Sequence, residues 1–268
     1  GFSPDNIKKI DDIPFLPSSI FKHVALSSNP VSQKIIRSSG TSSQLKSSIN
    51  LDSSTSVNQT KALTKILKSF IGKNKKPFFI VDIEPKEALS DDGSISARLA
   101  GMQGYLLASK SRTYLLDQDE EGSLKINNDA LSLLLETSSK EAVVVIGYTY
   151  MIWQYLAGNN NFKAQNLGRD SHLIHFGGWK KLQNLKKSKT ELNAALKLKL
   201  NISEDNIMDI YGFTEQLGTV YVGKGEEGSL VSDYSHVIVR DTNTLKVLED
   251  GDCLLYTSDA ADEEDSVD

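Results

Sequence analysis

Ala142-Val143-Val144-Val145-Ile146-Gly147 is an unbroken, β-branched apolar run. A strand with one wet face alternates apolar and polar residues. An unbroken run suits a strand buried on both faces, which places helices above and below a parallel sheet. Further short runs lie on either side: Ile35-Ile36-Arg37 and Phe78 to Ile83 upstream, His172 to Phe176, Ile207 to Tyr211 and His236 to Arg240 downstream. Between them, apolar residues recur at helical spacing over Ser56–Phe70 (Ala62, Leu63, Ile66, Leu67, Phe70), Asp129–Thr137, Tyr150–Ala157 and Lys189–Leu200. Ser96–Ser109 reads as a helix passing into an apolar stretch, and Asp241 to Asn243 as a turn. Pro14 and Pro17 make an extended lead-in to a short helix capped by Ser18 or Ser19. Short buried strands alternating with helices predict an α/β fold, with largely parallel sheets flanked by helices.

The bulk properties narrow the function. With 39% hydrophobic and 24% charged residues over 268 positions, the chain has the composition of a soluble globular protein with a sizeable core. Its net charge of −5 argues against a nucleic-acid partner, which requires a basic face. One cysteine, Cys253, excludes an intrachain disulfide framework and a Cys-rich zinc site. His23, His172 and His236 show no metal-ligand spacing. No stretch is apolar enough to span a bilayer, and the start, Gly1-Phe2-Ser3-Pro4, lacks the pattern of a signal peptide. The expected compartment is the cytoplasm.

Three glycine-containing loops each follow a strand, where open parallel sheets bind ligands. In Ser38-Ser39-Gly40-Thr41-Ser42-Ser43-Gln44-Leu45-Lys46, hydroxyls and backbone N–H groups could surround a polyphosphate, with Lys46 offsetting its charge. The spacing is not that of a Walker loop, and a flexible Ser-rich linker has the same composition. In His175-Phe176-Gly177-Gly178-Trp179-Lys180-Lys181, paired glycines could let a flat ring such as adenine lie on bare backbone. A tight turn with Trp179 as packing fits equally. Tyr211-Gly212-Phe213-Thr214-Glu215 offers an aromatic face and a hard oxygen ligand. Alternatively, or in addition, Thr214 caps a helix with Glu215 in its first turn. His175 could sit near bound phosphates or be an ordinary buried histidine.

These motifs, in this order, resemble the adenylate-forming superfamily: a Ser/Thr-Ser-Gly-Thr phosphate loop with a downstream Lys, then a Gly-Gly-Trp turn, then Tyr-Gly-x-Thr-Glu. Ile13-Pro14-x-x-Pro17-x-x-x-Phe21-Lys22, together with Gly177-Gly178-Trp179-Lys180, narrows the resemblance to the acyl-protein synthetase (LuxE) family. That family supplies fatty acid for bacterial bioluminescence and has relatives in other biosynthetic clusters. The resemblance covers about Ile13 to Asp252. It implies ATP-dependent activation of a carboxylic, typically fatty, acid to acyl-AMP and pyrophosphate, then acyl transfer to a protein thiol on a reductase or carrier partner. It also implies that Tyr211 stacks on adenine, that Thr214 contacts the α-phosphate and that Glu215 holds Mg²⁺. Ser38, Ser39, Gly40, Thr41, Ser42, Gly177, Gly178, Trp179 and Gly212 would complete the nucleotide site, with Lys46 in a catalytic role.

The acyl chain needs an apolar pocket, for which Gly147 to Trp153 is a candidate; simple helix packing explains the same residues. Two other readings stay open: an acyl-CoA or carrier-loading ligase, and a homologue that kept the fold without activity. The chain departs from the family pattern after Asp250-Gly251. Cys253 to Glu263 reads as the in-frame translation of a transposase-type sequencing adapter. Residues 1–252 are therefore expected to be an adenylation domain lacking its C-terminal part, and 253–268 a disordered, non-native tail in which Cys253 has no natural role.

Overall fold

The structure is a computed structural model that describes residues 5, 7–27, 34–38, 45–85, 97–179, 184–224, 228–241 and 243–248. Its strands are β1 (Lys34–Arg37), β2 (Ser48–Leu51), β3 (Lys76–Ile83), β4 (Ser109–Gln118), β5 (Leu124–Ile126), β6 (Val144–Tyr148), β7 (His172–Phe176), β8 (Ile207–Tyr211), β9 (Tyr221–Lys224) and β10 (Ser229–Leu230). Its helices are α1 (Ser53–Ile71), α2 (Ala97–Leu106), α3 (Asn128–Ser138), α4 (Thr149–Ile152, continued by a π-turn over Trp153–Ala157) and α5 (Lys189–Leu200).

Eight strands form one sheet in the order β10-β9-β8-β7-β6-β3-β4-β5. The inner five, β8-β7-β6-β3-β4, are parallel, and antiparallel strands close both edges. Every residue of β6 and β7 is buried, as the unbroken apolar run predicts. From β3 the chain first steps one way to β4, then returns past β3 to β6 and continues to β7 and β8. The order therefore reverses between β3 and β6, and ligands of such sheets bind beyond the carboxyl ends of the strands near that reversal.

Right-handed crossovers in opposite directions put helices on opposite faces. Tyr105 of α2 packs on Phe176 at 5.0 Å between ring centres. Lys224 lies over the ring of Phe70 of α1 at 5.4 Å. Thus α1 and α2 share the face of Phe176, while α4 and α5 cover the face of His175. Leu63, Ile66, Leu67 and Ile71 give α1 its buried stripe, each such aliphatic contributing roughly 2 kcal/mol on burial. Asp52 caps α1 by accepting from the Thr55 N–H at 2.7 Å. Ser188 and Glu191 form a reciprocal capping box at the start of α5, which ends at Asn201 in the left-handed region.

Several expectations need correction. His236–Arg240 is not a strand; its one trace of pairing is a bridge from Arg240 to Val247. The turn at Asp241 does form, its carboxylate accepting from the N–H groups of Asn243 and Thr244. The short helix at Ser18–Lys22 is a 3₁₀ turn whose N-cap is Pro17, not Ser18 or Ser19. The Ser96–Ser109 segment divides into α2 and the start of β4. The proposed tail at 253–268 and Cys253 lie outside the described residues.

Candidate nucleotide site at the sheet's carboxyl edge

Phe176 pairs with Ile210 across β7 and β8, so Gly177 and Tyr211 leave the sheet side by side at its carboxyl edge. Gly177 adopts φ +73°, and a Cβ there would stand 3.1 Å from the Tyr148 ring. The backbone angle favours glycine, and any Cβ would press on the ring. Tyr211 is 48% exposed, beside Phe213 at 6.0 Å and Tyr221 at 6.3 Å between ring centres. An aromatic face at a strand's carboxyl end is placed to stack on a flat ring.

Thr214 and Glu215 follow in a 3₁₀ turn whose N-cap is Phe213. Thr214 is thus the first turn residue, and the alternative of Thr214 as a helix cap does not hold. Glu215 is half-buried, and among the described residues its carboxylate makes no ion pair or hydrogen bond. Such a carboxylate is the type of hard oxygen donor Mg²⁺ takes when phosphates fill most of its shell. Among the described residues there is no cluster of three or more His, Cys, Asp or Glu side chains able to hold a metal alone.

The chain then returns through Gly218, at φ +87°, where a Cβ would fall 2.6 Å from the Cα of Gln59. This contact places the first half of α1 against the Thr214 turn. The first loop joins the same neighbourhood through its flanks. The Ser38 N–H donates to the Ser47 carbonyl at 3.0 Å, and the Ser47 N–H donates to Ser38 Oγ at 2.9 Å, closing the neck of the β1–β2 hairpin. β2 then runs into α1 at Asp52, and β1 lies alongside α2. Lys46 is exposed at this neck. Ser39, Gly40, Thr41 and Ser42 lie outside the described residues. The structure therefore joins the second and third loops directly and connects the neck of the first to them through α1 and α2.

Trp179 is buried and meets Trp153 edge-on at 5.7 Å, the packing expected of the plain-turn reading. Tyr148, Met151 and Ile152 are likewise buried in the core, so Gly147 to Trp153 packs rather than lining an open pocket. The open cleft of about 720 Å³ beside Gln165, Asn166, Lys197 and Glu204 runs along the outer flank of α5 and includes none of the site residues.

One group was not foreseen. Thr149 Oγ1 lies 3.0 Å from His175 Nδ1 and 3.3 Å from the Phe176 carbonyl oxygen. Asp209 Oδ1 lies 3.7 Å from the same Nδ1. Burial holds the His175 pKa below its ordinary value, while the Asp209 carboxylate pulls the other way. Asp209 was legible as the one charged residue in Ile207-Met208-Asp209-Ile210-Tyr211. Nothing local marked Thr149.

The fold defines an open, doubly wound α/β protein whose second and third loops leave neighbouring strands at the sheet's carboxyl edge. The sequence profile of the acyl-protein synthetase (LuxE) family matches residues 3–262, and the chain belongs to that family. No curated protein matches it. Among solved structures it is similar to ATP-bound MatB from Rhodopseudomonas palustris, at 13% identity and TM-score 0.48, over 81% of this chain and 37% of that one. It is also similar to the amide bond synthetase McbA from Marinactinospora thermotolerans, at 16% identity and TM-score 0.41, over 70% of this chain and 30% of that one. The chain thus spans about a third of the length of either.

Proposed function

We propose that this chain carries the nucleotide-binding part of an ATP-dependent ligase that converts a fatty carboxylic acid into acyl-AMP and delivers the acyl group to a protein thiol. The observation that carries this reading is the side-by-side exit of Gly177 and Tyr211 from neighbouring parallel strands, followed by Thr214 and Glu215. Membership of the acyl-protein synthetase family supports the acid substrate and the protein acceptor. In this reading residues 1–252 belong to the adenylation domain, and the protein works in the cytoplasm. No helix among the described residues is long and apolar enough to cross a membrane.

Adenylation joins two anions, so the protein's task is to hold a carboxylate near the α-phosphate and offset their repulsion. Tyr211 would stack on adenine against the bare backbone of Gly177-Gly178, with Gly212 leaving room for the ring. The Thr214 hydroxyl would donate to the α-phosphate. Ser38 to Ser42 would surround the leaving phosphates, and Lys46 would neutralise charge on them. Glu215 would hold Mg²⁺, which supplies further positive charge at the phosphates when bound.

The test is acid-dependent exchange of pyrophosphate into ATP by the natural full-length protein across a series of fatty acids. Exchange is expected, and Glu215→Ala should lower it about a hundredfold. Unchanged exchange in that variant would remove Glu215 from the site. Lys46→Ala should chiefly weaken ATP binding, and unaltered nucleotide affinity would remove the first loop.

A further inference from the structure

The Thr149 hydroxyl is almost fully buried where β6 ends, and it faces two partners on β7. A carbonyl oxygen can only accept, so the contact with Phe176 uses the single hydroxyl proton. Nδ1 of His175 must then carry the ring proton and donate it to Thr149 Oγ1. The Asp209 carboxylate, 3.7 Å from Nδ1, favours that same tautomer. Nε2 is left as a bare acceptor, and it has no hydrogen-bond partner among the described residues. Thr149 and Asp209 both address Nδ1, so the three groups do not form a nucleophile–base relay, which would need partners on opposite ring nitrogens.

The direction of this chain has a consequence. Its last acceptor, the Phe176 carbonyl, belongs to the peptide that begins Gly177. All described peptides are trans, so the Gly177 N–H points opposite to that carbonyl. The carbonyl is held on the β6 side of β7, so the N–H faces the β8 side, where Tyr211 leaves the sheet.

We propose that Thr149, backed by His175 and Asp209, is a positioning residue that locks the Phe176–Gly177 peptide and so aims the Gly177-Gly178 turn at the nucleotide. This rests on the adenylation reading above. Thr149 itself touches no substrate; it acts through the turn.

The experiment is calorimetric titration of ATP, with Mg²⁺, into the 268-residue chain and its Thr149→Val and Thr149→Ser variants. Valine keeps the shape and removes the hydroxyl; serine keeps the hydroxyl. Thr149→Val should bind ATP about tenfold more weakly, and Thr149→Ser should return to about the wild-type affinity. Wild-type affinity in Thr149→Val, or an equal loss in Thr149→Ser, overturns the proposal while leaving the site intact. A wild-type chain that binds no ATP overturns both the proposal and the reading on which it rests. Should Thr149→Val fail to fold, long-range ¹⁵N shifts of His175 in the wild type decide: a proton on Nδ1 is expected, and a proton on Nε2 overturns the network.

Discussion

His172 and His175 lie in one strand and are both nearly inaccessible, yet they belong to different parts of the protein. His172 opens β7 at the edge away from the candidate site, on the face covered by α1. Burial pushes its pKa down to about 4, helped by the positive charges of Lys76 and Lys224, while hydrogen bonds to the backbone of Phe70 and Asp170 act in the opposite sense. His175 stands near the strand's carboxyl end on the opposite face, against Thr149 and Asp209. Identical side chains therefore serve cohesion at one end of the sheet and orientation of a turn at the other. A strand's side-chain alternation sets the face, and its direction in a parallel sheet sets the end.

This contrast predicts that substitutions at the carboxyl edge disturb nucleotide binding first and that those at the far edge disturb stability first. The largest effect is expected for Gly177→Val. A branched side chain at φ +73°, with its Cβ 3.1 Å from the Tyr148 ring, should cut ATP affinity about a hundredfold and lower the unfolding midpoint by several degrees. Unchanged titration curves for this variant would detach the turn from the nucleotide.

The next effect belongs to the far edge. His172 is held neutral in the fold, so the unfolded chain binds a proton below about pH 6.5 that the folded chain resists down to about pH 4. Its stabilising contribution is complete above pH 6.5 and is lost as the pH falls through this window. The loss should be on the order of 2 kcal/mol, discounted for partial solvent screening. Urea unfolding from pH 7 to 4 should show this slope in the wild type and a smaller one in His172→Gln, with ATP affinity at pH 7 equal in both. A weakened affinity in His172→Gln would erase the distinction between the two ends. The smallest effect is expected for Tyr211→Ala: about a tenfold loss of ATP affinity, from lost ring stacking, with little change in stability because the ring is half exposed. A loss of stability without a loss of affinity would make Tyr211 a packing residue.

Legibility followed burial. β7, α5 and β8 have the bounds that the pattern of His172–Phe176, Lys189–Leu200 and Ile207–Tyr211 predicts. Their strands are buried on both faces or their helices are well capped, and both features are written locally. β4, with the polar start Ser109-Lys110-Ser111-Arg112, and the short β9 and β10 carry no such pattern. They are strands because a neighbour offers them a ladder of hydrogen bonds. His236–Arg240 shows the reverse case: a β-type sequence that lacks a partner strand and so forms only a single bridge.

The amino-acid order alone determined the α/β class, the alternation of elements and the Gly-Gly and Tyr-Gly-x-Thr-Glu turns, because these depend on periodicity and on residues with special backbone freedom. Only the folded arrangement decided that the two turns emerge side by side from adjacent parallel strands. It alone set Gln59 against Gly218 and brought Thr149 to His175 and the Phe176 carbonyl. Those meetings join residues far apart along the chain, and the closeness arises from sheet order and helix packing, which no local pattern encodes.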